Sequence, residues 1–421
     1  FSYAVNVKAQ EHILMPTAGQ RVYVPITAKS VKGKMKVSNI GRTTIQNIDY
    51  TLSFKGRELE SMHYVFPQAL GHNDDAVVEV EVPPYTELGE DELVFTIIKV
   101  NGGRNGATIS YANLPRITVT KVPKRRIAVE EYTAMWCRYC PIGIALMENL
   151  SHTFGDDFVG IAVHVDDPLT CWDYYSKAKG NHFPTVDMNR SHKLGYVLAV
   201  DEFKAERDAG TDMDLEVSAV WDESKNNITV TPVVTFRVNR DEAPYGFAYI
   251  LTEDGMTDSR WVQNNAYSGS YGDRGVTKEF DEIIDSPGEI RNLKNNFVAI
   301  AAEGVNVPVT GHVKAPIKAD TPLSHSFVFE DIKSKKVIQK KENLRVCVLL
   351  INTQTGHVEN AAKCTISEFK TTGISSVSDS TRSEVVVGRY TLDGRRITTP
   401  QRGINIVRYS DGRVSKEVVT R

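Results

Sequence analysis

The strongest constraint on how this chain can fold is a change of rhythm after residue 126. A near-continuous apolar strand, Ile127 to Tyr132, leads into Cys137-Arg138-Tyr139-Cys140-Pro141, then a helix-like apolar run from Ile142 to Phe154, then a second buried strand from Phe158 to Val165. Strand, helix and strand in that order make a βαβ unit, whose two strands lie parallel with the helix across one face. The segments on either side have the period of strands. From His12 to about Thr120, short Val-, Ile-, Thr- and Tyr-rich stretches alternate between Gly and Pro turns, the pattern of an antiparallel β-sandwich. Strand signals return from Asp214 to about Glu368 and predict a second sandwich. Thr371 to Ser380 has the Ser/Thr/Gly composition of a linker. Beyond it, Val385 to Thr391, Ile404 to Tyr409 and Val414 to Val419 alternate around Asp393-Gly394 and Asp411-Gly412, which predicts a small β-unit.

Charge narrows the range of partners. Fifty basic against fifty-three acidic side chains give a formal charge of −3, so the chain as a whole carries no nucleic-acid footprint. The segment from Thr381 onward is locally basic, with nine basic and four acidic residues. No apolar run approaches the ~20 residues needed to span a bilayer as a helix, so no transmembrane span is expected. The chain starts at Phe1 rather than Met, so its localisation has to be read from other features.

The cysteines carry the chemistry. A thiolate at Cys137 would sit at the positive end of a helix, beside unpaired backbone N–H groups that lower its pKa, which makes Cys137 the expected nucleophile. Cys140, one turn further in, would resolve the mixed disulfide formed at Cys137. Pro141 fits the first helical turn, where no intrahelical N–H bond is lost. Other uses of the pair stay open: a structural disulfide, a retained pair without turnover, or half of a zinc site. The last lacks a second C-x-x-C or an H-x-x-x-H partner, so no metal is expected. No P-loop, G-x-G-x-x-G, G-x-S-x-G or H-E-x-x-H motif occurs, and no organic cofactor is implied.

Cys171 reads as a partly buried free thiol or a third redox partner. With a hairpin turn centred on Thr355-Gly356, Cys347 and Cys364 would face each other across two strands, each eight residues from the turn, and form a bridge that implies an oxidising compartment. His164, Asp166, Asp167 and His182 are each expected to be satisfied or solvent-facing, with His182 also a candidate groove residue near the disulfide. The run Trp261 to Gly269 reads as an ordered loop packing on its sandwich, or as aromatic and amide groups offered to a partner.

The segment Trp136-Cys137-Arg138-Tyr139-Cys140 between strand and helix resembles the thioredoxin superfamily. The resemblance implies a buried acid at Glu131, six residues before Cys137, that moves the proton of the resolving thiol. It also implies a cis-proline at Pro184 that faces the disulfide and shapes a groove flanked by Phe183 and Thr185, with Trp136, Arg138 and Tyr139 on the opposite rim. Arg138-Tyr139 departs from the Gly-Pro of thioredoxin itself, and Arg138 should favour the Cys137 thiolate and a more oxidising pair. The order of parts, with Glu130 to Pro141, Phe183 to Arg190 and Trp261 to Gly269, is similar to a family of Bacteroidetes outer-membrane or secreted proteins. The tail, with Tyr390 to Arg396 and Gly403 to Val407, looks like a type IX secretion sorting domain, which implies export to the periplasm, outer membrane or cell surface.

The expected architecture is therefore multidomain and mostly β with one α/β domain. It comprises an immunoglobulin-like β-sandwich over 1–120, a thioredoxin-like domain over 121–212, a second β-sandwich over 213–370, and a linker with a sorting-like β-unit over 371–421. The expected activity is thiol-disulfide exchange with protein thiols or disulfides. The alternative is a non-catalytic binding or assembly protein that meets a surface or envelope partner through its sandwiches.

Overall fold

The computed structural model describes residues 12–196, 199–369, 386–391, 395–409 and 414–419. The chain is mostly β and divides into two compact units, Phe1–Phe369 and Lys370–Arg421.

At the N-terminal end, two sheets enclose one core. Leu14–Thr17, Val31–Asn39 and Asp75–Val82 form the first, and its period-two alternation is plain in the burial. Met35, Val37, Val78, Val80 and Val82 point inward, while Lys32, Lys36, Asp75 and Glu79 pair on the water side. The second sheet is built on Ile45–Phe54, Gly89–Val100 and Tyr111–Val119, whose inward residues meet the first sheet's in a shared core. One pair departs from the antiparallel expectation: Val22–Pro25 runs parallel to Tyr111–Val119.

The next sheet carries the C-x-x-C. Its elements in chain order are β1 (Ile127–Thr133), α1 (Pro141–Phe154), β2 (Phe158–His164), β3 (Thr185–Met188), β4 (His192–Lys193) and α2 (Ala199–Asp208). Strand order is β4-β3-β1-β2, with β1 and β2 parallel and β3 antiparallel to β1. Every residue of β1 is buried, because both of its faces are covered. Ile127 and Val129 face α1 and α2 through Leu146, Met147, Leu150 and Phe203, while Ala128 and Tyr132 face the opposite layer. By that parity Glu131 falls on the α1 side. Glu130 falls on the other, where Arg190 holds it with two hydrogen bonds of 2.8 Å and the Tyr174 hydroxyl adds a third at 2.7 Å.

The sheet continues past β2. Strand β5 (Met213–Trp221), β6 (Ile228–Phe236), β7 (Tyr245–Glu253), β8 (Val298–Glu303), β9 (Leu344–Asn352) and β10 (Val358–Ser367) extend it in the order β2-β8-β7-β9-β10-β5-β6. Ala162 of β2 pairs with Val298 of β8, so the segments 121–212 and 213–370 share one sheet. Strands β7 and β9 separate two cores. Phe247, Tyr249, Leu251, Val346, Val348 and Leu350 pack with Leu215, Val230 and Phe236 of β5 and β6. Ala248, Ile250, Cys347 and Leu349 pack instead with Tyr132, Val163 and Tyr174 of the β1–β2 region. Between β7 and β8 the chain makes a long excursion containing α3 (Lys278–Asp285), which packs Phe280, Ile283 and Ile284 onto Ala145 of α1.

The expected bridge between Cys347 and Cys364 is not formed, and both thiols are free. The turn closes at Asn352, whose N–H donates to His357 O, so it is centred lower than Thr355-Gly356, and a bulge follows between Leu350 and Ile351. The resulting register sets Cys347 against Lys363 and Val346 against Cys364. The two sulfurs therefore lie on opposite faces of the sheet, because side chains alternate along a strand.

The C-terminal unit is a four-stranded antiparallel sheet in the order Arg396–Ile397, Val386–Tyr390, Gly403–Tyr409, Val414–Val419. The linker Thr371 to Ser380 and the turns at Asp393-Gly394 and Asp411-Gly412 lie outside the described residues.

Candidate functional site

Cys137 and Cys140 form a disulfide at the start of α1. Cys140 is the helix N-cap and Pro141 takes the first helical position, so the pair sits among N–H groups without intrahelical partners. Cys137 is 6% exposed and Cys140 fully buried, so Cys137 is the less deeply buried of the two. Trp136 and Tyr139, each about half exposed, flank the disulfide together with exposed Arg138.

The loop is pinned on one side by β2 and the segment after it. The Met135 N–H donates to Asp167 Oδ2 at 2.9 Å, and the Trp136 indole N–H donates to Val165 O at 3.1 Å. The Asp167 side chain is buried, which alone would raise its pKa, yet His164 at 2.7 Å and the backbone donors hold the carboxyl below its usual range. His164 and Asp167 are thus satisfied structural groups, as expected. Asp167 is in addition an anchor of the loop, which the sequence did not reveal.

The Phe183–Pro184 peptide bond is cis. Phe183 packs against Ala134, Cys137 and Cys140, and its ring meets Trp136 edge-on with centroids 5.6 Å apart. The segment is held by Tyr196, whose hydroxyl donates to Pro184 O at 2.6 Å, and by Thr185, whose hydroxyl donates to His182 O at 2.6 Å. Thr185 is buried and starts β3 rather than lining open space, and His182 is exposed.

Glu131 lies beneath the first turn of α1. A Cβ placed on Gly143 would stand 2.6 Å from Glu131 Oε1 and 3.3 Å from Pro184 Cβ, so only glycine leaves room for the carboxyl here. Oε1 of Glu131 has no hydrogen-bond partner among the described residues. Burial pushes this carboxyl up to about 8, the charge of Glu148 adds to the shift, and the Thr133 hydroxyl opposes it. Glu131, Thr133, Glu148, His164 and Asn296 line a cavity of about 10 Å³, room for one water. Glu148, itself raised by burial, accepts from Asn296 at 2.7 Å and also lines an open groove on the far side.

Trp136, Arg138, Tyr139 and Phe183 thus surround the Cys137–Cys140 disulfide, while Glu131 and Pro184 meet at Gly143 in the first turn of α1. Cys171 stays apart as a buried free thiol whose pKa burial pushes up to about 11. The excursion between β7 and β8 supplies a part of the site that sequence reasoning did not assign: Gln263, Asn264 and Ala266 hydrogen-bond to the C-x-x-C loop. The one signal was the amide-rich run Gln263-Asn264-Asn265. Among the described residues, no group of His, Cys, Asp and Glu is placed to hold a metal ion.

No family model matches the chain, and no curated protein matches it. Solved structures resemble it at low identity. HBP35 of Porphyromonas gingivalis aligns over 70% of this chain and 99% of its own, with 15% identity and a TM-score of 0.42. A domain of the outer membrane lipoprotein Omp28 from the same organism covers 38% of this chain and 92% of its own, at 10% identity and a TM-score of 0.20. The CARDB domain of PF1109 from Pyrococcus furiosus covers 26% of this chain and 94% of its own, at 17% identity and a TM-score of 0.20. No helix among the described residues is long and apolar enough to cross a membrane, which says nothing of a β-barrel.

Proposed function

We propose that this chain is a thioredoxin-like thiol-disulfide oxidoreductase of the cell envelope or surface, acting on protein substrates. The observation that carries the reading is the asymmetric disulfide at the start of α1, with Cys137 toward the rim and Cys140 fully buried. The cis Phe183–Pro184 bond and the neutral Glu131 beneath add to it.

In the reducing direction, the Cys137 thiolate attacks a substrate disulfide, forming a mixed disulfide and releasing one substrate thiolate. Glu131, in the ionised form that is its minor one below about pH 8, takes the proton of the Cys140 thiol. The Cys140 thiolate then attacks Cys137, closing the Cys137–Cys140 disulfide and releasing the second substrate sulfur. Two electrons pass from the protein pair to the substrate, and the reverse sequence oxidises a substrate dithiol. Trp136, Arg138, Tyr139 and Phe183 border the approach to Cys137. Export is the compartment in which such a pair persists oxidised, and the sorting-like tail fits it.

The 6% exposure of Cys137 favours a second reading, in which the bridge is permanent and the β-sandwiches bind a surface or envelope partner. A turnover assay separates the two. Dithiol-dependent reduction of a protein disulfide is expected in the wild type and absent in Cys137→Ser, with the fold intact by circular dichroism. Equal rates in both would overturn the redox reading.

A further inference from the structure

Five consecutive carbonyls of the C-x-x-C loop, Ala134 through Arg138, each accept a hydrogen bond from one of three residues, Gln263, Asn264 and Ala266. The Gln263 side-chain amide donates to Cys137 O at 3.0 Å and Ala134 O at 3.4 Å. The Asn264 backbone donates to Met135 O at 2.9 Å, its side chain to Trp136 O at 3.0 Å, and the Ala266 backbone to Arg138 O at 2.7 Å. This strip comes from a distant part of the sequence, in the excursion between β7 and β8, whose strand β8 lies beside β2 in the sheet, and it is rigidly built. Val262–Asn264 pairs with Glu289–Arg291, and Asn265 ties back to Ile283 O at 2.8 Å and, through its backbone, to Gly288 O at 2.8 Å. The Tyr139 ring also meets Tyr267 edge-on. Gln263 is 2% exposed, and its Oε1 has no hydrogen-bond partner among the described residues. A buried amide is kept there for its donor end.

We propose that Gln263, with Asn264, is a positioning residue for the nucleophile: its N–H groups fix the Cys137 loop and bring positive dipole ends to it, favouring the Cys137 thiolate. The inference rests on the redox reading above and deepens it, because it makes the 254–297 excursion part of the redox site. Removing the donor leaves Cys137 O with the Cys140 N–H alone, at 3.2 Å, and Ala134 O with the Cys137 N–H alone, at 3.1 Å, and a less compensated negative dipole end disfavours a nearby thiolate. The ionisable groups around the loop are Arg138 and Tyr139 on it, Tyr267 against Tyr139, Glu131 beneath it, the Asp167–His164 pair at Met135 and His182 before the cis bond. All of them are retained in the variants.

The test titrates the Cys137 thiolate in reduced full-length protein by ultraviolet absorbance, with iodoacetamide alkylation mass-mapped to Cys137. Wild type, Gln263→Leu and the milder Asn264→Ala are compared, and thermal unfolding is recorded for each. The expected result is an upward shift of the Cys137 midpoint in Gln263→Leu, with about tenfold slower alkylation below the midpoint, and a smaller shift of the same sign in Asn264→Ala. Lower thermal stability with an unmoved midpoint, in either variant, means a structural role only and overturns the inference. A wild-type Cys137 that titrates no lower than free cysteine overturns the redox reading itself.

Discussion

Replacing Glu131 by glutamine tests the buried carboxyl directly. In the folded chain this group keeps its proton up to about pH 8, whereas its ordinary value is 4.5. Between those values the folded state holds a proton that the unfolded chain has released. The stability contributed by the neutral carboxyl is therefore fully present below pH 4.5 and is lost as pH rises to about 8. The slope is about 1.4 kcal/mol per pH unit, so the loss between pH 5 and pH 8 comes to about 4 kcal/mol, a large part of a typical folding margin. Glutamine fills nearly the same volume beside Gly143 and Pro184 and has no proton to lose. The unfolding free energy of Glu131→Gln relative to wild type should therefore rise by about 4 kcal/mol from pH 5 to pH 8 and level off above pH 9. Urea denaturation of the oxidised proteins, followed by tryptophan fluorescence at successive pH values, measures this difference. A difference that stays constant from pH 5 to pH 9 would refute a neutral, uncompensated carboxyl beneath the disulfide.

Two further outcomes follow from packing and register. Gly143→Ala places a methyl carbon 2.6 Å from Glu131 Oε1, and the displacement this forces should cost about 1–3 kcal/mol of stability in urea denaturation at pH 5; an unchanged midpoint would mean the carboxyl does not lie there. Alkylation in denaturant without reductant should label Cys171, Cys347 and Cys364 and spare Cys137 and Cys140, whereas labelling of Cys171 alone would show that the strand pair is bridged.

What the sequence revealed was mostly local. The strand, cysteine pair and proline-led helix follow one another within a few turns, and the Val78-Glu79-Val80-Glu81-Val82 alternation declares its inward face residue by residue. Pro184 was legible through its resemblance, and the cis bond stands where it was expected. Pairings that depend on distant chain were not. The register of Cys347 turns on a bulge beside Ile351, which no propensity marks, and a shift of one residue moves a side chain to the other face. Gln263 lies 126 residues from Cys137 in sequence, and its contact depends on β8 joining the sheet beside β2. The continuity of the sheet across residues 212 and 213 was hidden for the same reason, since edge strands of two segments read alike whether they meet or face water.

The central claim is that the Cys137–Cys140 pair exchanges electrons with protein thiols. The most direct measurement is a titration of the intact protein in glutathione buffers, with alkylation and mass mapping that report Cys137 and Cys140 separately from the other three cysteines. The account predicts a reversible midpoint within the glutathione range, with Cys137 alkylated fastest in the reduced protein near neutral pH. A pair that stays oxidised below about −300 mV, or reacts only once the chain unfolds, would contradict it.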